Sequence, residues 1–154
     1  MSPEAGERIF VGLGANLGDA VAAVRAAFDA IGAMPGTLLV ARSALYRSAP
    51  VDATGPDYVN AVAELRSTLE PLVLLAALQV IETAFDRQRP YRHAPRTLDL
   101  DLLRYGERRL DTPTLTLPHP RMTERAFVLL PLAELAPELV GDIPAHQCVE
   151  RIAS

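Results

Sequence analysis

The sequence contains no lysine and only one cysteine among its 154 residues. Without lysine the chain cannot carry a Walker-type phosphate loop, whose lysine reaches the terminal phosphates of a nucleotide. A lone Cys148 cannot close an intramolecular disulfide, and no Cys or His spacing of the zinc type surrounds it, so it reads as a small packing residue. Long apolar runs are missing too. The longest, near Leu72–Leu78 and Ala126–Ala133, are too short to span a bilayer. The first residues lack the charged-then-apolar order of a signal peptide. These absences predict a cytoplasmic protein with no membrane partner. Ser-His-Asp and Cys-His nucleophile sets are also lacking.

What is present points to one folded domain covering residues 1–154. Hydrophobic residues make up 49% of the chain and the net charge is only −4, which argues against disorder. A domain of this length buries roughly 68–70% of its unfolded surface, and two full-sized domains would not fit.

All 15 basic residues are arginine, and they are unevenly placed. Residues 87–125 hold nine Arg against five acids, whereas the remainder holds six Arg against 14 acids. An acidic chain with one Arg-rich stretch is a poor general partner for nucleic acid and suits a compact anionic ligand.

Hydrophobic periodicity outlines the elements. Ile9–Leu13 reads as a strand, followed by a Gly14–Gly18 turn and a helix capped by Asp19 with Val21, Val24, Phe28 and Ile31 on its buried face. Leu38–Tyr46 reads as a second strand and 47–57 as a loop. Along Tyr58–Arg66, alternation sets Tyr58 and Asn60 on one face and Val59 and Ala61 on the other. Pro71 opens a second helix, with Leu74, Leu78, Ile81 and Phe85 as its apolar stripe and Gln79, Glu82 and Asp86 as a polar one. Leu98–Leu103 reads as a strand. A last helical region from about Met122 to Leu135 is expected to break at Pro131. Antiparallel strands with helices gathered on one face make an α+β sandwich.

The sharpest chemical feature is Arg96-Thr-Leu-Asp99-Leu-Asp101-Leu. Period two places both carboxylates on one face of a strand, where their mutual repulsion needs a cation. Hard oxygens so arranged suit Mg²⁺, which takes one or two carboxylates together with substrate phosphates. The ordinary alternative is a solvated acidic face. Arg87, Arg89, Arg92 and Arg96 precede this strand, and Arg121 and Arg125 follow it. Guanidinium groups bind phosphate oxygens bidentately and keep their charge, so acids beside arginines are the components of phosphoryl transfer. Arg104, Arg108 and Arg109 are the candidates for plain surface ion pairs. Gly12-Leu-Gly14-Ala-Asn-Leu-Gly18 is one residue too long for a dinucleotide fingerprint. His119, between two prolines and beside Arg121, could donate to a phosphate oxygen; His93 lies in the Arg-rich loop and His146 in a tail without partners.

Four segments, in order, resemble the 6-hydroxymethyl-7,8-dihydropterin pyrophosphokinase family of folate biosynthesis. They are Gly12-Leu-Gly-Ala-Asn16-Leu-Gly-Asp, Tyr58-Val-Asn60-Ala, Pro95-Arg-Thr-Leu-Asp-Leu-Asp101 and Pro118-His-Pro-Arg-Met-Thr-Glu-Arg125-Ala-Phe127. The resemblance implies a ferredoxin-like α+β sandwich, a monomer, that moves pyrophosphate from ATP to the pterin hydroxymethyl group and releases AMP. It implies two Mg²⁺ ions on Asp99 and Asp101, and Arg87 and Arg96 as catalytic cations. It also implies a pterin pocket of Asn16, Ser48, Val51, Tyr58, Asn60 and Phe127. Gln79, Glu82, Arg89, Arg92, His119, Arg121 and Arg125 fall on the nucleotide side. Segments 47–57 and 86–95 are expected to close over the site. The chain departs from the family pattern in a shortened Arg-rich loop, in His93 where a Trp is frequent, and in Thr114 at the place of a phosphate-binding Arg. A binding module of the same fold without activity, or another Mg-dependent phosphotransferase, are the alternatives.

Overall fold

Strand β4 (Tyr58–Ser67) carries the fold, because both of its edges are paired and both of its faces are covered. The computed structural model describes residues 6–16, 19–49, 57–86, 98–144, 147 and 149–152. On one edge β4 pairs with β1 (Arg8–Ala15), which in turn pairs with β5 (Asp99–Tyr105). On the other edge β2 (Thr37–Arg42) and β3 (Tyr46–Ser48) follow each other end to end, and β8 (Val149–Arg151) extends the sheet beyond β3. Every pairing is antiparallel. Helix α1 (Ala20–Gly32) joins β1 to β2, with β4 lying between them, and α2 (Pro71–Asp86) joins β4 to β5, with β1 between them. This is the split β-α-β arrangement of a ferredoxin-like sandwich.

Period two decides which side chains meet which helix. Ile9, Val11 and Leu13 of β1, Val59, Ala61, Ala63 and Leu65 of β4, and Leu100 and Leu102 of β5 form one core with Val24, Phe28 and Ile31 of α1 and Leu74 and Leu78 of α2. Each of the larger side chains contributes roughly 1.5–3 kcal/mol by leaving water. Asp19 caps α1 as expected, its Oδ1 accepting the Ala22 N–H at 3.0 Å.

The opposite face is not bare. Phe10, Val62 and Leu103 pack there against Val128 and Leu132 of a third helix, α3 (Ala126–Leu135). The helices therefore lie on both sides of the sheet, not on one. Pro131 does not interrupt α3. Proline inside a helix costs about 3 kcal/mol, and the burial of Val128, Leu129, Pro131 and Leu132 offsets it. Arg8 holds the far end of α3, donating to Glu64, Glu138 and the Leu135 carbonyl.

Two further boundaries differ from the sequence pattern. The expected strand 38–46 is split because the Ser43 N–H donates to the Val62 carbonyl while Ser43 Oγ accepts the Val62 N–H, which uses β4 groups that a continuous ladder would pair. Of the expected Gly14–Gly18 turn, Gly14 and Ala15 instead end β1, and Leu17 and Gly18 lie outside the described residues. A small ribbon, β6 (Leu110–Asp111) with β7 (Thr116–Leu117), folds back beside β5.

Candidate active site

Extending β1 through Gly14 creates the site. Gly14 is registered with Asn60 on β4 and with Asp99 on β5, and Gly12 is registered with Val62 and Asp101. Asn60, Gly14 and Asp99 thus form one row across three strands on the α3 side of the sheet. Two strand spacings separate the outer members, about 10 Å between backbones. Above Gly14 only Asn60 Oδ1 comes within 4 Å of where a Cβ would stand, so the floor is open there, whereas the Leu103 side chain covers Gly12. A Cβ on Gly14 would stand 3.3 Å from Asn60 Oδ1, tighter than ordinary van der Waals contact.

At one end of the row, Asn60 is buried and its Nδ2 donates to Ser48 Oγ at 2.7 Å. One of its two N–H donors is thereby used, and the carbonyl oxygen lies toward Gly14 as an acceptor. Tyr58 shares the face of Asn60 and is half-buried, as is Phe127 in the first turn of α3. Arg125, the residue before α3, lies over the Phe127 ring at 5.5 Å. Strand β3 is fixed to α3 through Glu134, which accepts the Ala44 N–H at 3.2 Å and the Tyr46 hydroxyl. Burial, then this bond, pushes the Tyr46 hydroxyl up to about 12. Asn16 directly follows β1 and is half-buried.

At the other end, Asp99 is half-buried and Asp101 exposed on β5. The outer edge of β5 is held by two groups. Glu82 of α2 accepts the N–H of Leu100, the residue between the two acids, at 2.8 Å. Leu103 has no register partner on β1, and its carbonyl accepts the His119 N–H at 2.8 Å. This irregularity in the ladder brings the His119 loop to the edge of the strand bearing the acids. His119 Nδ1 accepts the Arg121 N–H at 3.2 Å, so the neutral ring carries its proton on Nε2. Burial holds the imidazole below its ordinary pKa of 6.5, Asp101 opposes that shift, and Arg125 and Arg121 reinforce it. A cavity of about 240 Å³ lies beside these groups, lined by Asp101, Thr112, Thr114, Thr116 and His119 among others.

The structure thus brings Asn60, Ser48, Tyr58, Asp99, Asp101, His119, Arg121, Arg125 and Phe127 to one side and one end of the sheet. Ser48, expected in a loop, is strand β3. Gln79 diverges from them and sits exposed on the outer face of α2, next to Val80 and Thr83. Val51, Arg87, Arg89, Arg92 and Arg96 lie outside the described residues, as do His93, His146 and Cys148. Sequence reasoning missed Gly14, whose role follows from strand pairing, and Glu134, which has no motif around it. Arg104 pairs with Glu107, and Arg108 with Glu7 and Glu70, as surface ion pairs.

Among the described residues no group of three or more His, Cys, Asp or Glu could hold a metal ion. Asp99 and Asp101 supply two carboxylates, hard oxygen donors that suit Mg²⁺ completed by substrate phosphates. Among the described residues no helix is long and apolar enough to cross a membrane.

An antiparallel α+β sandwich with a carboxylate pair, an imidazole and guanidinium groups around one open end has the chemistry of the phosphoryl-transfer class, donors for a divalent cation beside donors for phosphate oxygens. Comparison with known proteins narrows this class. Residues 10–137 match the family described as 7,8-dihydro-6-hydroxymethylpterin-pyrophosphokinase (HPPK). The chain is 52% identical over 134 residues to 2-amino-4-hydroxy-6-hydroxymethyldihydropteridine pyrophosphokinase of Pseudomonas aeruginosa, covering 86% of this chain and 83% of that protein. It is 42% identical over 144 residues to the protein of the same name from Haemophilus influenzae, covering 93% and 89%. A solved HPPK-DHPS structure in complex with substrates superposes with a TM-score of 0.66 at 12% identity, which shows the shared fold. The match covers 86% of this chain and 40% of that one. The chain belongs to the 7,8-dihydro-6-hydroxymethylpterin-pyrophosphokinase family.

Proposed function

We propose how this chain performs the reaction of its family, the transfer of pyrophosphate from ATP to the hydroxymethyl group of 6-hydroxymethyl-7,8-dihydropterin in folate biosynthesis, with release of AMP. The row Asn60–Gly14–Asp99 carries the reading. Asn60 Oδ1 accepts from the N–H groups on the edge of the pterin, Ser48 holds that amide in place, and Tyr58 and Phe127 supply aromatic faces to the planar ring. Asn16 and the backbone near Ser48 and Val51 complete the pocket. Lying over Gly14, the ring directs its hydroxymethyl group toward Asp99 and Asp101.

These two carboxylates hold Mg²⁺, two ions in this proposal. When bound, the metal offsets charge on the triphosphate and lowers the pKa of a coordinated hydroxyl. The protein's own share is positioning and charge. His119 Nε2–H, Arg121 and Arg125 bind phosphate oxygens, while Glu82 keeps the Asp-bearing strand in place from α2. Arg87 and Arg96 neutralise the leaving AMP and the transferred group, with Arg89, Arg92 and Gln79 on the nucleotide side; for these arginines and for Gln79, which sits exposed on α2, the support is the family motif alone. The protein acts as a monomer in the cytoplasm, the whole chain forming one pyrophosphokinase domain.

Product analysis tests the reading. Incubated with ATP, Mg²⁺ and the hydroxymethyl dihydropterin, the protein should yield AMP and a pyrophosphorylated pterin in equal amounts. Formation of ADP, or no turnover with intact binding of both substrates, would refute it.

A further inference from the structure

A second cleft lies on the α1 side of the sheet, away from Asn60 and the acid pair. It encloses about 730 Å³ and runs between α1, the Ser43–Leu45 linker and the end of β8. That volume falls within the range of small-molecule sites. Three arginines from three separate elements line it: Arg25 of α1, Arg42 of β2 and Arg151 of β8. Only six arginines stand outside residues 87–125, so half of them converge on this cleft in the acidic part of the chain.

Among the described residues their charge is not balanced locally. Asp29 is the one acid in the lining and is engaged with Arg42 at 3.1 Å. Arg42 is further held over the Phe28 ring at 5.3 Å, which fixes its guanidinium plane at the cleft. Arg25 and Arg151 have no ion pair among the described residues. The lining therefore carries a net charge of +2, and the remaining wall includes apolar Leu45 and Ile152. Guanidinium groups arranged around a concave surface match phosphate oxygens in geometry, and a phosphate dianion matches this charge.

We infer that this cleft is a second anion site, which binds a small phosphate-bearing molecule through Arg25, Arg42 and Arg151. The inference does not depend on the pyrophosphokinase chemistry, since none of these residues belongs to the active site. The ligand chemistry could come from free inorganic phosphate or from an organic phosphate monoester. The apolar wall favours the monoester.

Amide NMR titration of the full chain with inorganic phosphate and with phenyl phosphate, at fixed ionic strength, tests this. Saturable shifts are expected at Ala44, Leu45 and Ile152, with phenyl phosphate binding several-fold more tightly. Equal affinities would assign the site to the free inorganic ion. In the R25Q/R151Q variant, both affinities should fall at least ten-fold, while R25K/R151K should retain part of the binding. Circular dichroism on each variant confirms the fold. Shifts that never saturate, or that persist unchanged in R25Q/R151Q, would overturn the inference. A D99N variant should leave these shifts unaltered, because binding at the acid pair is a separate event.

Discussion

Asn60 donates its side-chain amide to Ser48 Oγ at 2.7 Å, a buried bond between β4 and β3 that leaves the Asn60 carbonyl oxygen beside Gly14. The bond fixes which end of the amide lies toward Gly14. Replacing Ser48 with Ala strands a buried donor, at about 1–3 kcal/mol. Ser48→Ala should therefore raise KM for the pterin about ten-fold or more while KM for ATP changes little. Steady-state kinetics with each substrate varied separately checks this. A rise in both KM values would place Ser48 outside the pterin pocket.

Gly14 offers a finer probe of the same row. A methyl group there stands 3.3 Å from Asn60 Oδ1, whereas one on Gly12 meets Leu103 at an ordinary 3.5 Å. Gly14→Ala should weaken pterin binding several-fold more than Gly12→Ala, with both variants folded. Fluorescence titration with the pterin measures the difference, and equal losses would show that the glycine floor is not where the ring lies.

Glu82 accepts the N–H of Leu100, the residue between the two acids. Glu82→Ala should raise the Mg²⁺ concentration needed for half-maximal rate, and Glu82→Gln, which keeps an acceptor oxygen, should restore most of the response. A merely structural role would lower thermal stability in both variants without moving the Mg²⁺ dependence.

His119 has a definite pH signature in the ligand-free protein. Its folded pKa lies below 6.5, mainly through burial, so the folded state binds fewer protons than the unfolded state as pH falls below 6.5. The contribution of this group is full above pH 6.5 and is lost as pH drops toward the folded value. The His119 Cε1 proton should titrate with a midpoint below 6.5 by NMR. A midpoint above 6.5 would mean that Asp101 outweighs burial.

Much of this site is legible in the sequence because it depends on strand periodicity. Asp99 with Asp101, and Tyr58 with Asn60, share faces by alternation alone, and the structure keeps both pairs together. Gly14 misled the reading, since it suggests a turn in isolation and becomes a strand residue only when β4 and β5 supply partners on both sides, whereas Gly12 already falls in the expected strand. The role of Glu82 has the same origin: the polar stripe of α2 is visible in sequence, but its partner is a backbone N–H, which has no letter. Likewise, nothing around Pro131 announces that sheet packing outweighs its helix-breaking tendency.

The proposed chemistry depends most directly on the acid pair. Turnover of Asp99→Ala and Asp101→Ala should be measured with saturating ATP and pterin across a Mg²⁺ series, after circular dichroism has shown both variants folded. Each should lose at least about 100-fold in kcat, as expected when a group that acts on transition-state charge is removed. Near-normal turnover by either variant would contradict the assignment of the metal to these two carboxylates.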